Sequence, residues 1–161
     1  MYNERYGEEK VVGMVENVTK AMDSHGLTGY SLGGLTGNTF NSHRLLALAG
    51  AQGAEVQAAL AEELFRAYFL EAKFLNDPEV LLAAAKAAGL DNAEAVVRDE
   101  AEGTAEALEQ LGEAKKEGVT GVPLFVIEGP ESKLGRPVSR LRGAHPPDAF
   151  AEIFSEVLAK I

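Results

Sequence analysis

Apolar residues recur at three- and four-residue spacing along most of this chain, then condense into a short continuous run near its end. Over residues 8–25, Val11, Val15, Val18 and Met22 fall on one side of a helix and charged residues on the other. Gly26 follows where a helix cap belongs. Residues 27–38 contain four glycines and read as a connector, with a short extended piece at Tyr30 to Leu32. Two helices are predicted over 40–52 and 54–72, separated near Gly53. Leu60, Leu64, Phe65, Tyr68 and Phe69 form the stripe of the second and are expected in the core. Asp77-Pro78 marks another start: the carboxylate can accept from an unpaired N–H of the first turn, and proline fits the first helical position. This helix carries Val80, Leu81 and Leu82 and stops at Gly89. Asp91 opens a short helix through Val96, Val97 and Arg98. Thr104 opens another, which runs through Leu108 and Leu111 to Gly118.

The period then changes. Leu124-Phe125-Val126-Ile127, behind Pro123, reads as a buried strand. Gly129 and Pro130 turn the chain, and Val138 to Gly143 alternates as a returning strand would. Pro146, Pro147 and Asp148 open a last helix with Phe150, Ile153, Phe154, Val157 and Leu158 on its apolar face. The expected fold is α+β and mostly helical. A helical block over about 8–117 precedes a strand–strand–helix unit over about 118–161.

Composition narrows this picture. A length of 161 residues suggests one domain with a real core. Hydrophobic residues make up 46 %, but aromatics only 7 % and Trp is absent, so the core must be largely aliphatic. A formal net charge of −10 disfavours nucleic acid and anionic membrane surfaces as partners. No apolar run reaches the roughly 20 residues that span a bilayer. Met1-Tyr2-Asn3-Glu4-Arg5 lacks the basic-then-apolar pattern of a secretory leader, so a cytoplasmic location is expected.

The candidate chemistry is sparse. Cysteine is absent, which removes disulfides, thiolate metal sites and thiol nucleophiles from this sequence. His25, His43 and His145 are scattered without a His-x-x-x-His pair, so no metal site is expected. Ser31, Ser42, Ser132 and Ser139 lack a nucleophile-elbow context. The glycine-rich connector lacks the phosphate-binding pattern. Glu71 is placed to pair with Arg66, a structural contact. Arg140 and Arg142 share one face of the last strand and could meet an anionic group. His43 is expected as a hydrogen-bonding structural histidine, with a cleft role as the alternative.

Three stretches carry a resemblance: Asn38-Thr39-Phe40-Asn41-Ser42-His43-Arg44, Gly118 through Ile127, and Gly143-Ala144-His145-Pro146-Pro147-Asp148. In order and spacing they resemble the DsbA-like branch of thioredoxin-fold oxidoreductases, especially FrnE-type disulfide oxidoreductases and isomerases. The resemblance covers residues 38–160 well and residues 5–37 loosely. It implies a partial thioredoxin-like fold, a hairpin plus helix with a large helical insertion. The chain would be one domain over 1–161, incomplete at its N-terminal side. The opening strand–helix–strand of about 50 residues, which carries the family's Cys-X-X-Cys, is not in this sequence.

What the resemblance implies for residues is specific. Pro123 is expected in the cis form, and Gly121, Val122 and Pro123 form the loop that offers its backbone to a peptide or glutathione-like thiol substrate. His43, Arg140 and Arg142 are candidates for the same cleft. Thiol–disulfide exchange would be absent without cysteine. Two other readings stay open. The branch also includes glutathione-dependent enzymes, the 2-hydroxychromene-2-carboxylate isomerases and kappa-class glutathione transferases. A non-enzymatic helical interaction module is the other. An uncovered edge beside Leu124 to Ile127 would invite a second copy or a strand-donating partner. Alternatively, the sequence is a truncated gene model, or the helical block covers the hairpin unaided.

Overall fold

The structure, a computed structural model, describes residues 7–31, 33–128 and 139–159. Met1 to Arg5, Leu32, the Gly129-Pro130 turn, Ser132 and Val138 lie outside the described residues.

Helix α1 spans Glu8–Ser24. Helices α2 (Phe40–Gln52) and α3 (Ala54–Phe65) meet at Gly53, whose φ of 139° a side chain would resist. The second predicted helix does not run regularly to residue 72. After α3 it widens into a π-turn over Arg66–Leu70, closed by the Glu71 N–H donating to the Arg66 carbonyl at 3.1 Å. A π-turn holds more residues per turn than an α-helix, so the side-chain phase slips there. Leu60, Leu64 and Ala67 are buried, whereas Phe65, expected in the core, is 59 % exposed.

Helix α4 (Pro78–Ala87) starts as predicted, with the Asp77 side chain accepting from the Glu79 N–H at 2.9 Å. Helix α5 covers Ala93–Arg98, two residues later than Asp91 suggested, because Asn92 takes a left-handed conformation with φ 59°. Helix α6 is Thr104–Lys116. Strands β1 (Leu124–Ile127) and β2 (Ser139–Arg142) pair antiparallel, Leu124 opposite Arg142 and Ile127 opposite Ser139. Helix α7, Pro147–Leu158, closes the described chain.

The core lies between α2, α3, α4 and α5. Leu45, Leu60, Leu64 and Leu81 interlock there with Ala49, Ala84 and Ala85. Small alanines let the helices approach, and each buried leucine contributes about 1.5–3 kcal/mol. The chain divides into two compact units, Met1–Gln110 and Leu111–Ile161, with the boundary inside α6. Every buried residue among those described lies between Ser42 and Ala107, in the first unit.

The strand expected to be buried is therefore half open. Phe125 and Val126 are 37 % and 44 % exposed. These neighbours point to opposite faces of a two-stranded sheet. The Phe150 ring of α7 meets Phe125 edge-on at 4.8 Å. Among the described residues, no helix is long and apolar enough to cross a membrane.

Candidate peptide-binding loop

The loop grows from the end of α6. The Val119 N–H reaches back to the Ala114 carbonyl at 3.0 Å, with Gly118 in the left-handed region at φ 70°. This turns the chain toward β1 at Val119 and Thr120. The Val122–Pro123 peptide bond is cis, as the resemblance implied. The Pro123 carbonyl accepts from the Gly143 N–H at 2.9 Å, so the hairpin pairing continues one residue past β1.

That bond fixes the edge geometry. In an antiparallel pair, opposed residues alternate between exchanging hydrogen bonds and turning their N–H and C=O groups outward. Pro123 opposes Gly143 in a bonded pair, and so by alternation do Phe125 with Leu141 and Ile127 with Ser139. Leu124 and Val126 then point their backbone groups away from β2. Val122 precedes this row across the cis bond; it is 88 % exposed and its backbone has no hydrogen-bond partner among the described residues. The described sheet contains β1 and β2 alone, so this row of donors and acceptors at every second residue has no strand partner among the described residues.

Beside the row is a cavity of about 250 Å³, lined by Thr120, Gly121, Val122, Leu124 and Arg142. The Arg142 Nη1 donates to Thr120 Oγ1 at 3.3 Å and meets no carboxylate among the described residues. Arg140 is different: its guanidinium pairs with the Glu117 carboxylate and reaches the Glu117 carbonyl at 3.3 Å. The His145 ring lies 3.1 Å from the Arg142 carbonyl. The structure thus gathers Gly121, Val122 and Arg142 around one cavity, with Pro123 between Val122 and Leu124 in the chain, and holds Arg140 in an ion pair.

His43 does not behave as expected. It is exposed on α2, in the helical unit, and its ring makes no hydrogen bond among the described residues. Both of its neighbours are buried instead, Ser42 and the charged Arg44, which is 1 % exposed. A helix residue is rotated by about 100° from the next, so one step separates solvent from core. Arg44 Nε and Nη2 donate to the Glu102 carbonyl at 2.8 and 2.6 Å. Nη2 also meets the Val96 carbonyl at 2.6 Å and the Asp99 carbonyl, and Nη1 meets Asn41 Oδ1 at 2.9 Å. The cation sits on the carbonyl end of α5, where the helix dipole favours positive charge. The sequence signal was an arginine directly before the apolar run Leu45 to Ala49, a position that faces inward once the helix phase is set. Among the described residues, no group of His, Asp or Glu side chains could hold a metal ion.

A cis-proline loop leading into an open hairpin, with one helix behind it and a helical unit inserted before it, defines a thioredoxin-like, DsbA-type architecture. The chain belongs to the DSBA-like thioredoxin domain family, which it matches over residues 4–155 and so across both units. It is similar in structure to a probable DsbA oxidoreductase from Streptomyces coelicolor, at 28 % identity and a TM-score of 0.83. That match covers 100 % of this chain and 67 % of the other. No curated protein gave a significant sequence match.

Proposed function

We propose that this chain supplies the substrate-holding part of a DsbA-like, FrnE-type disulfide-exchange protein and takes no part itself in thiol transfer. The observation that carries this reading is the outward row of Leu124 and Val126, with the unpartnered backbone of Val122 before it at the cis bond. An extended peptide adds to such an edge by main-chain hydrogen bonds, and side-chain pockets then give selectivity. The absence of cysteine removes the nucleophile that disulfide exchange requires. The same edge would accept a strand from a partner protein or a second copy. The acidic charge of −10 supports a protein without nucleic-acid partners.

The test is calorimetric titration with an extended peptide whose cysteine is replaced by serine. Binding is expected, and Val122→Pro, which deletes one outward N–H, should abolish it. A disulfide-reductase assay should read blank throughout. Failure of the unaltered chain to bind would sink the proposal. A second reading rests on Arg142: a guanidinium without a carboxylate among the described residues, beside a small cavity, suits a carboxylate of glutathione. Glutathione heat in the same experiment, lost in Arg142→Ala, would favour it.

A further inference from the structure

The helical unit contains a second cavity, of about 530 Å³, which lies within the range of small-molecule sites. Its walls are the end of α1 and the segment after it (Met22, Leu27), the last turn of α3 (Phe65) and the π-turn (Phe69, Leu70). Phe65 lies one helical step, about 100°, around α3 from the buried Leu64, which places it outside the core and on this wall. Phe65 and Phe69 stand 6.0 Å apart at 44°, and Tyr68 meets Phe69 edge-on at 4.9 Å, so Phe69 is held from behind. A smaller cavity of about 160 Å³ lies on the other side of Phe69, beneath Val11, Val15 and Val18. The face of α1 toward the aromatic rings is thus hollow as well as apolar.

The rim is charged, and its balance is uneven. Arg66 pairs with Glu63 and Glu71, and Lys73 pairs with Glu71 at 2.6 Å. Two cations and two carboxylates satisfy one another in that chain of contacts. Glu62 also lines the cavity and has no partner among the described residues. One negative charge is left over, beside two phenyl rings whose faces attract cations.

We propose that this cavity is a binding site for a small arylalkyl ammonium compound, its body between Phe65 and Phe69 and its charge at Glu62. A ligand of opposite charge would meet an unpaired carboxylate and the negative faces of two rings, so sign is the discriminating property.

The experiment compares two probes with the same body, 4-phenylbutylammonium and 4-phenylbutyrate, titrated into the full chain and followed by methyl chemical shifts. The ammonium should bind, with saturable shifts at Met22, Leu27 and Leu70. The carboxylate should bind about tenfold more weakly or not at all. Phe65→Ala and Glu62→Gln should each weaken the ammonium about three- to fivefold. Both residues are exposed, so both variants should keep the wild-type fold, read by circular dichroism. Equal affinity for the two probes, no saturable shift, or binding that neither substitution changes would overturn the proposal.

Discussion

Replacing Arg44 with methionine keeps the length and apolar stem of the side chain and deletes the guanidinium. The loss falls on acceptors that the fold has already taken from water. The Val96 carbonyl is in a buried hydrogen bond, while the Asp99 and Glu102 carbonyls and Asn41 Oδ1 are partly buried. A buried carbonyl left unpaired costs about 1–3 kcal/mol, and the partly buried ones recover some hydration. The charge at the end of α5 is lost as well, worth about 0.3–1 kcal/mol. The expected destabilisation is therefore about 3–5 kcal/mol, comparable to breaking other buried charged networks. That is about a fifth or more of the stability of a typical domain. Arg44→Lys should recover only part of it, because one ammonium cannot span carbonyls that a planar fork reaches together. The assay is urea unfolding by far-ultraviolet circular dichroism, with His43→Ala as the adjacent control expected within about 0.5 kcal/mol of the parent. An Arg44→Met variant within about 1 kcal/mol of the parent would refute the reasoning, since the carbonyls would then not depend on the guanidinium.

Three further outcomes are expected. The Ser42 hydroxyl is buried without a hydrogen-bond partner among the described residues, so Ser42→Ala should be neutral or stabilising by up to about 1 kcal/mol in the same unfolding assay. A Cβ on Gly34 would lie 2.5 Å from the Ala72 carbonyl oxygen, backbone against backbone, so Gly34→Ala should lower the melting temperature through a loss of about 1–3 kcal/mol. The hydrogen bond from Lys73 and the charges of Arg66 and Lys73 hold the Glu71 carboxyl below its ordinary 4.5. Its stabilising contribution is thus present above that value and is lost as pH falls through the depressed one. A carboxyl-carbon NMR titration should place the Glu71 midpoint below 4.5, and Lys73→Ala should move it back up.

The helix boundaries were legible because caps are local chemistry. Gly53, Asp77-Pro78 and Gly118 mark their turns whatever packs around them. The cis bond at Pro123 was legible through the company of Gly121 and Val122 in a resembling family, not through physics alone. Phe65 was misplaced because the stripe was drawn too wide: one residue after the buried Leu64 is already about 100° around α3, on its exposed side. The exposure of Phe125 and Val126 was hidden for another reason: an apolar run reports what a strand is suited to face, not how many neighbours cover it. Arg44 was missed and His43 favoured because a titrating ring attracts attention that a single arginine does not. The carbonyl partners of Arg44 lie 52 to 58 residues further along the chain, beyond any local pattern.

The central claim is that an extended peptide pairs with the outer edge of β1 beside the cis-proline loop. Its most direct test is amide NMR during titration with the serine-for-cysteine peptide. Alternation is the predicted result: the amides of Val122, Leu124 and Val126 shift and gain protection from exchange, while those of Phe125 and Ile127, assigned by the register to bonds with β2, stay as they were. Absence of binding, or shifts that ignore the alternation, would contradict the account.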